Sequence, residues 1–275
     1  MGNPKLIMAH ENETSGPSWL TMPDSEFLTL LQASSKFKQR SHDTHYTIHL
    51  PELSSRLQLN LTLPEPPGPS ADDDPFTPRA NITNKKIIEV VYLGNSMLER
   101  FKTTGAATKL GRLASEGVAW NAGCGGDKHE NVLYRLHEGL YQHLKTAQED
   151  GRCDIKLIIL ASGTNNLHVK RGLRPADVES YRLLLQACLR IAPKCTVLAC
   201  DMFYRKDVAD RLVDAGNTML REVVEENVWD GRVRWVKARG MLGKEMLADH
   251  VHLNEMGYAV WDEVLGKVVE EMGLE

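Results

Sequence analysis

No stretch of this chain is apolar for long enough to span a bilayer, and the opening Met1-Gly-Asn-Pro-Lys-Leu carries no apolar run of signal-peptide length. Neither an integral membrane segment nor a secretory route is expected. Gly2 does not suggest a lipid anchor, because Leu6 stands where a myristoylation signal needs Ser or Thr. A strong charge bias is also missing: a formal net charge of -4 leaves no basic footprint, so nucleic acid is not expected as a partner. CxxC pairs are absent. The five cysteines, Cys124, Cys153, Cys188, Cys195 and Cys200, are an odd number in apolar or helical contexts typical of buried thiols. That usage points to a reducing compartment, and the cytoplasm is the expected location.

Proline is nearly missing after Lys86. Ten of the twelve prolines precede it, and six of those fall between Leu63 and Arg79, beside the acidic run Asp72-Asp-Asp74. Such a composition does not build a packed core, so residues 63–85 read as a Pro-rich acidic linker between an N-terminal extension, 1–62, and a main domain, 86–275. A length of 275 residues suits one α/β domain with an appendage. Within the extension, a capping residue and the apolar positions Phe27, Leu28, Leu30 and Leu31 predict a helix from Asp24 to Arg40. The alternation of Leu57, Leu59, Leu61 and Leu63 predicts a strand from Arg56 to Leu63, with Thr44 to Leu50 as its hairpin partner.

From Lys86 onward, short apolar runs alternate with amphipathic stretches. Strands are predicted at Lys86 to Leu93, Val118 to Asn121, Ile155 to Ala161, Thr196 to Cys200 and Val233 to Val236. Helices are predicted at Lys128 to Thr146, Pro175 to Ile191, Val208 to Asn227 and Glu255 to Met272. Buried strands separated by helices argue a parallel sheet covered on both faces, with ligands gathering beyond the carboxyl ends of the strands. Ser96, Gly123 and Asn165 each stand within a few residues of such an end.

A serine hydroxyl attacks an ester only when an imidazole takes its proton, a carboxylate fixes the imidazole, and aimed donors meet the oxyanion. Ser96, His252 and Asp249 fit the first three roles, and the backbone N–H groups of Ser96 and Gly123 with the Asn165 amide fit the last. Each block alone has a plainer reading: a helix N-cap for Ser96, a turn glycine for Gly123, an Asx turn for Asn165. Asp249 and His252 are three apart, which sets both side chains on one side of a turn, while the rival base His250 points away. His42, His45 and His49 sit in a predicted strand without a recognised metal spacing, so non-metal roles are favoured.

Four blocks in one order, Gly94-Asn-Ser-Met-Leu-Glu99, Asn121-Ala-Gly-Cys-Gly-Gly-Asp127 with Asn131-Val-Leu-Tyr-Arg-Leu136, Gly163-Thr-Asn-Asn166, and Asp249-His-Val-His-Leu253 with Gly257-Tyr258, carry a resemblance. The chain resembles the SGNH hydrolases, the GDSL-type esterases, and within them the platelet-activating-factor acetylhydrolase catalytic-subunit-like members. The resemblance runs from about Lys86 to the C-terminus and implies a three-layer α/β/α, flavodoxin-like fold. It also implies hydrolysis of short-chain acyl esters, acetyl among them, through an acyl-serine intermediate, with Asp249 in the triad and no metal or organic cofactor. The partner it implies is a small-molecule ester, with a homodimer left open. One position departs from the pattern: Asn95 stands where the family usually has Asp, losing a charge while keeping an acceptor oxygen. That departure is the only encouragement for one alternative, a catalytically weak or inactive binding or scaffold protein of the same fold; the other, an acyltransferase, is one that the same acyl-enzyme would permit.

Overall fold

Uninterrupted apolar runs become five strands: β1 Val90–Asn95, β2 Ala119–Cys124, β3 Leu157–Ala161, β4 Thr196–Cys200 and β5 Val233–Val236. The computed structural model describes residues 18–59 and 86–274. All strand pairings are parallel, in the order β2-β1-β3-β4-β5. Alternate residues feed two cores, as a doubly covered sheet requires. Val91, Leu93, Trp120, Ile158 and Leu160 pack on one face, and Val90, Tyr92, Ala119, Leu157 and Ile159 on the other. This is the three-layer α/β/α, flavodoxin-like fold expected, in which strand order reverses around β1 and opens a crevice at its carboxyl end.

Three of the four helices predicted for the main domain are interrupted or shorter. The stretch expected as Lys128 to Thr146 is α-helical at His129–Arg135, widens to a π turn at Leu136–Leu140, where Gly139 has φ 124°, and resumes at Tyr141–Glu149. The helix expected at Val208 to Asn227 spans Asp210–Val224, whereas Pro175–Ile191 is as expected and Glu255–Glu271 stops one residue early. A short helix opens at Ser96 and spans Ser96–Glu99, whereas helix Lys109–Ser115 lay outside the expectation and is capped by Thr108, which accepts from the Gly111 N–H.

The extension corrects the hairpin. Residues 39–57 are continuous helix, α at Gln39–Thr44, π at His45–His49 and α again at Leu50–Leu57. Pro51 has no N–H to give to the preceding turn, and the wide turn lies just before it. Leu50, Leu53 and Leu57 recur at helical spacing on one buried face, so Leu57 ends a helix rather than starting a strand. Leu61, Leu63 and the 63–85 linker lie outside the described residues. The helix expected from Asp24 to Arg40 stops at Ser34 and restarts at Gln39, with extended backbone at Ser35 and Lys38. Phe27, Leu31, Leu50, Leu53 and Leu57 belong to the same buried cluster as Val91 and Trp120, so these helices share the core of the sheet. Arg56 clasps the sheet directly, donating to the carbonyls of Ala119 at 2.9 Å and of Gly117.

Candidate active site

Ser96 opens a four-residue helix, Ser96–Glu99, at the carboxyl end of β1. Asn95 caps that helix: its Oδ1 accepts from the Met97 N–H at 2.9 Å, so the amide keeps the acceptor role that a carboxylate would fill. The helix is pinned from two sides, by Tyr258 Oη donating to Met97 O at 2.8 Å and by Asn121 Nδ2 donating to Leu98 O at 2.7 Å.

The loop before helix Glu255–Glu271 brings the other two residues to Ser96. Asp249 Oδ1 accepts from the N–H groups of Val251 at 2.8 Å and His252 at 2.7 Å, folding residues 249–252 into a tight turn. Asp249 Oδ2 lies 2.6 Å from His252 Nδ1, and His252 Nε2 lies 2.8 Å from Ser96 Oγ. These partners place the proton on Nδ1 and leave Nε2 as the acceptor for the serine hydroxyl. Burial works to raise the Asp249 carboxyl, but the two N–H groups and His252 outweigh it and hold the group below the usual carboxylate range. Burial lowers the His252 imidazole below its ordinary value; the Asp249 bond opposes that and the charge of Arg100 adds to it. Arg100 stands 3.7 Å from Asp249. His250 is exposed, with its ring 4.0 Å from Asp249 and no contact to Ser96.

The oxyanion side corrects one expected residue. Gly123 is paired in register with Gly94, two residues behind Ser96, and its N–H is already donated to Asn121 Oδ1 at 2.9 Å. What Gly123 provides is space: a Cβ there would come within 2.2 Å of the Glu99 nitrogen, so the missing side chain lets the serine helix settle on β2. Asn95 pairs with Cys124, so the turn Gly125-Gly126-Asp127 begins level with Ser96. Gly126 takes φ 73°, a conformation suited to glycine, and its N–H donates to no described residue. Asn165 reaches the same turn, its Nδ2 donating to Asp127 O at 2.9 Å.

Of the residues that hold this turn, Arg135 lies in the block Asn131–Leu136, whereas Lys38 and Ser41 had no signal in the sequence. Arg135 is fully buried and donates to Asp127 Oδ2 at 2.8 Å, Ala122 O at 2.8 Å and Gly94 O at 3.0 Å. Ser41 donates to the other oxygen of Asp127, and Lys38 Nζ to Gly126 O at 2.6 Å. Cys124 is buried with its thiol pushed up to about 12 by desolvation, which disfavours the reactive thiolate there. Among the described residues no group of three His, Cys, Asp or Glu side chains is arranged to hold a metal. His42 bonds Tyr134 Oη at 2.9 Å, His45 bonds Glu138 O at 3.1 Å, and His49 lies against Arg135.

The sequence pattern of the GDSL-like Lipase/Acylhydrolase family matches residues 92–260. Platelet-activating factor acetylhydrolase IB subunit alpha1 of Pongo abelii is 24% identical over 180 residues, covering 62% of this chain and 71% of that protein. Among solved structures, a putative acylhydrolase from Bacteroides fragilis superposes with a TM-score of 0.52 at 16% identity, over 70% of this chain and 92% of that one. A putative platelet activating factor from Streptococcus pneumonia also gives 0.52 at 16% identity, over 67% and 85%. Those two structures share the fold, and the family pattern spans all four blocks from Gly94 to His252: the chain belongs to the GDSL-like lipase/acylhydrolase family of SGNH hydrolases.

Proposed function

We propose that the protein is a serine esterase that hydrolyses short-chain acyl esters through an acyl-serine intermediate. The observation that carries this reading is the unbroken chain from Asp249 to His252 to Ser96, with spacings of 2.6 and 2.8 Å. Ser96 Oγ attacks the ester carbonyl carbon as His252 Nε2 takes its proton. The tetrahedral intermediate collapses, the C–O bond to the alcohol breaks, and His252 returns the proton to the leaving oxygen. Water then attacks the acyl-serine with His252 again as base, releasing the acid and restoring Ser96. Asp249 stays ionised throughout and steadies the imidazolium.

The oxyanion is assigned to the backbone N–H groups of Ser96 and Gly126 and to Asn165. Asn165 has a second amide hydrogen beyond the one given to Asp127. Retention of the helix cap by Asn95 supports a working nucleophile and argues against an inactive scaffold. The relative's name, an acetylhydrolase, supports a short acyl group. The five cysteines are unpaired and buried, which supports a reducing compartment, and no described helix is long and apolar enough to cross a membrane. A fluorophosphonate probe should label the wild type and not Ser96→Ala, and turnover of p-nitrophenyl esters should fall as the acyl chain lengthens. Equal labelling of the two proteins would overturn the assignment.

A further inference from the structure

We propose that Lys38, in the N-terminal segment, is a positioning residue for the oxyanion turn, holding the peptide planes of Gly125-Gly126-Asp127 so that the Gly126 N–H stays aimed at the reacting carbonyl oxygen. The inference rests on the esterase reading of Ser96 and Gly126 given above.

A turn with two consecutive glycines has little steric resistance to rotation of its peptide planes, and a rotated plane would carry the N–H away. The turn's own closure is slight, one bond from the Asp127 N–H to Cys124 O at 3.2 Å. Lys38 Nζ supplies the missing restraint with a charge-assisted bond to Gly126 O at 2.6 Å. Because the peptide is planar, that bond fixes the whole Gly126–Asp127 plane; the Gly126 N–H lies on the adjoining Gly125–Gly126 plane, which is joined to it at the Gly126 Cα, so holding one plane limits rotation of the other. Among the described residues Lys38 makes no ion pair, so no carboxylate draws its ammonium away from the Gly126 carbonyl.

Lys38 is itself held firmly. The Lys36 N–H donates to Glu130 O at 2.9 Å, and Asn131 Nδ2 donates to Lys36 O at 2.9 Å. Ser41 reaches Asp127, and the Arg40 side chain covers Gly125 while pairing with Glu99 on the serine helix at 3.4 Å. Residues 36–41 therefore run along the far side of the turn as a brace. That brace comes from outside the family match at 92–260, so it is a feature of this chain's own N-terminal helices.

The test compares kcat, KM and melting temperature for wild type, Lys38→Met and Lys38→Arg on p-nitrophenyl acetate, with Ser96→Ala as the control. Lys38→Met should lower kcat about tenfold, with KM within about twofold and the melting temperature nearly unchanged, since the restraint acts when charge develops. Lys38→Arg should recover most of the loss by donating to the same carbonyl. A wild-type kcat in Lys38→Met, a loss that follows the fraction of folded protein, or no recovery with arginine would each overturn the proposal. Full turnover in Ser96→Ala would instead remove the esterase reading, and this inference with it.

Discussion

The base side of the site, residues 248–254, is tied together by near neighbours in sequence: Asp249 to Val251 and His252, Ala248 N–H to His252 O, and Asn254 to Gly257. The oxyanion side, residues 124–131, is tied by residues far away in sequence, Lys38, Ser41 and Asn165, with Arg135 nearby. Asp249 is 40% exposed, whereas Asp127 and Arg135 are wholly buried. The imidazole is thus held mainly by a local turn near the surface, tied to the rest of the domain by the Lys206 N–H to His250 O bond at 2.8 Å. The turn opposite keeps its shape only inside an assembled core.

Removing residues 1–59 should break that contrast most severely. Phe27, Leu31, Leu53 and Leu57 are at most 1% exposed, and at about 1.5–3 kcal/mol each their loss amounts to roughly 6–12 kcal/mol, comparable to the whole stability of a domain. The truncated chain should be insoluble or lack a cooperative melting transition, and a soluble protein with wild-type melting would show that the sheet stands alone. On the base side, Ser96→Ala or His252→Ala should lower kcat by about 10⁴-fold or more with the fold retained, as triad members act as a unit. His250→Ala should stay within about twofold, and the reverse ranking would move the base to His250.

Asn165→Ala should lower kcat by about 10² to 10³ with a smaller change in KM, the loss expected for one oxyanion donor. If Asn165 only braced Asp127, melting temperature would fall and kcat per folded molecule would hold. Asn95→Asp, which restores the family's usual residue, is expected to be unfavourable. Asn95 and Asp201 line one small cavity of about 20 Å³, and burial has already raised the Asp201 carboxyl to about 6. A raised carboxyl gives stability at low pH that is lost as pH rises through about 6, so a second carboxylate should hurt most above that pH. Asn95→Asp should therefore melt lower at pH 8 than wild type, and Asp201→Asn in the same chain should restore it. An unchanged melting temperature would show that the cavity tolerates both acids.

The smallest effect concerns pH. His252 must be neutral to accept the serine proton, and its value is lowered, so the acid limb of kcat/KM should lie below the ordinary histidine value of about 6.5. Arg100→Gln removes a positive neighbour that contributes to the lowering, so the limb should move to higher pH. A shift to lower pH would contradict the assignment of His252.

The same contrast accounts for what could be read in the sequence. Asp249 and His252 were legible because a three-residue spacing fixes their geometry locally, and the five strands because uninterrupted apolar runs have few other uses. Gly123 was misplaced because Asn121-Ala-Gly-Cys-Gly-Gly-Asp127 holds three glycines, and only the register against β1 separates the glycine inside the strand from those in the turn. The N-terminal hairpin failed because leucines at 57 and 59 suit alternation as well as a helix end, and packing of Leu50, Leu53 and Leu57 settled it. Lys38 and Ser41 were invisible, since contacts across 88 and 86 residues leave no periodic trace.

Arg135 joins these regions through a single guanidinium, shared among the ends of β1 and β2, the Asp127 carboxylate and, at 3.4 Å, His49, which burial keeps neutral. Opening any one of those contacts strands a buried charge, so the segments around residues 36–49 and 122–135 must open together. In hydrogen exchange their amides should behave as one cooperative block, while those of 248–254 exchange independently. The oxyanion side would then be lost all at once, together with the fold of the N-terminal helices.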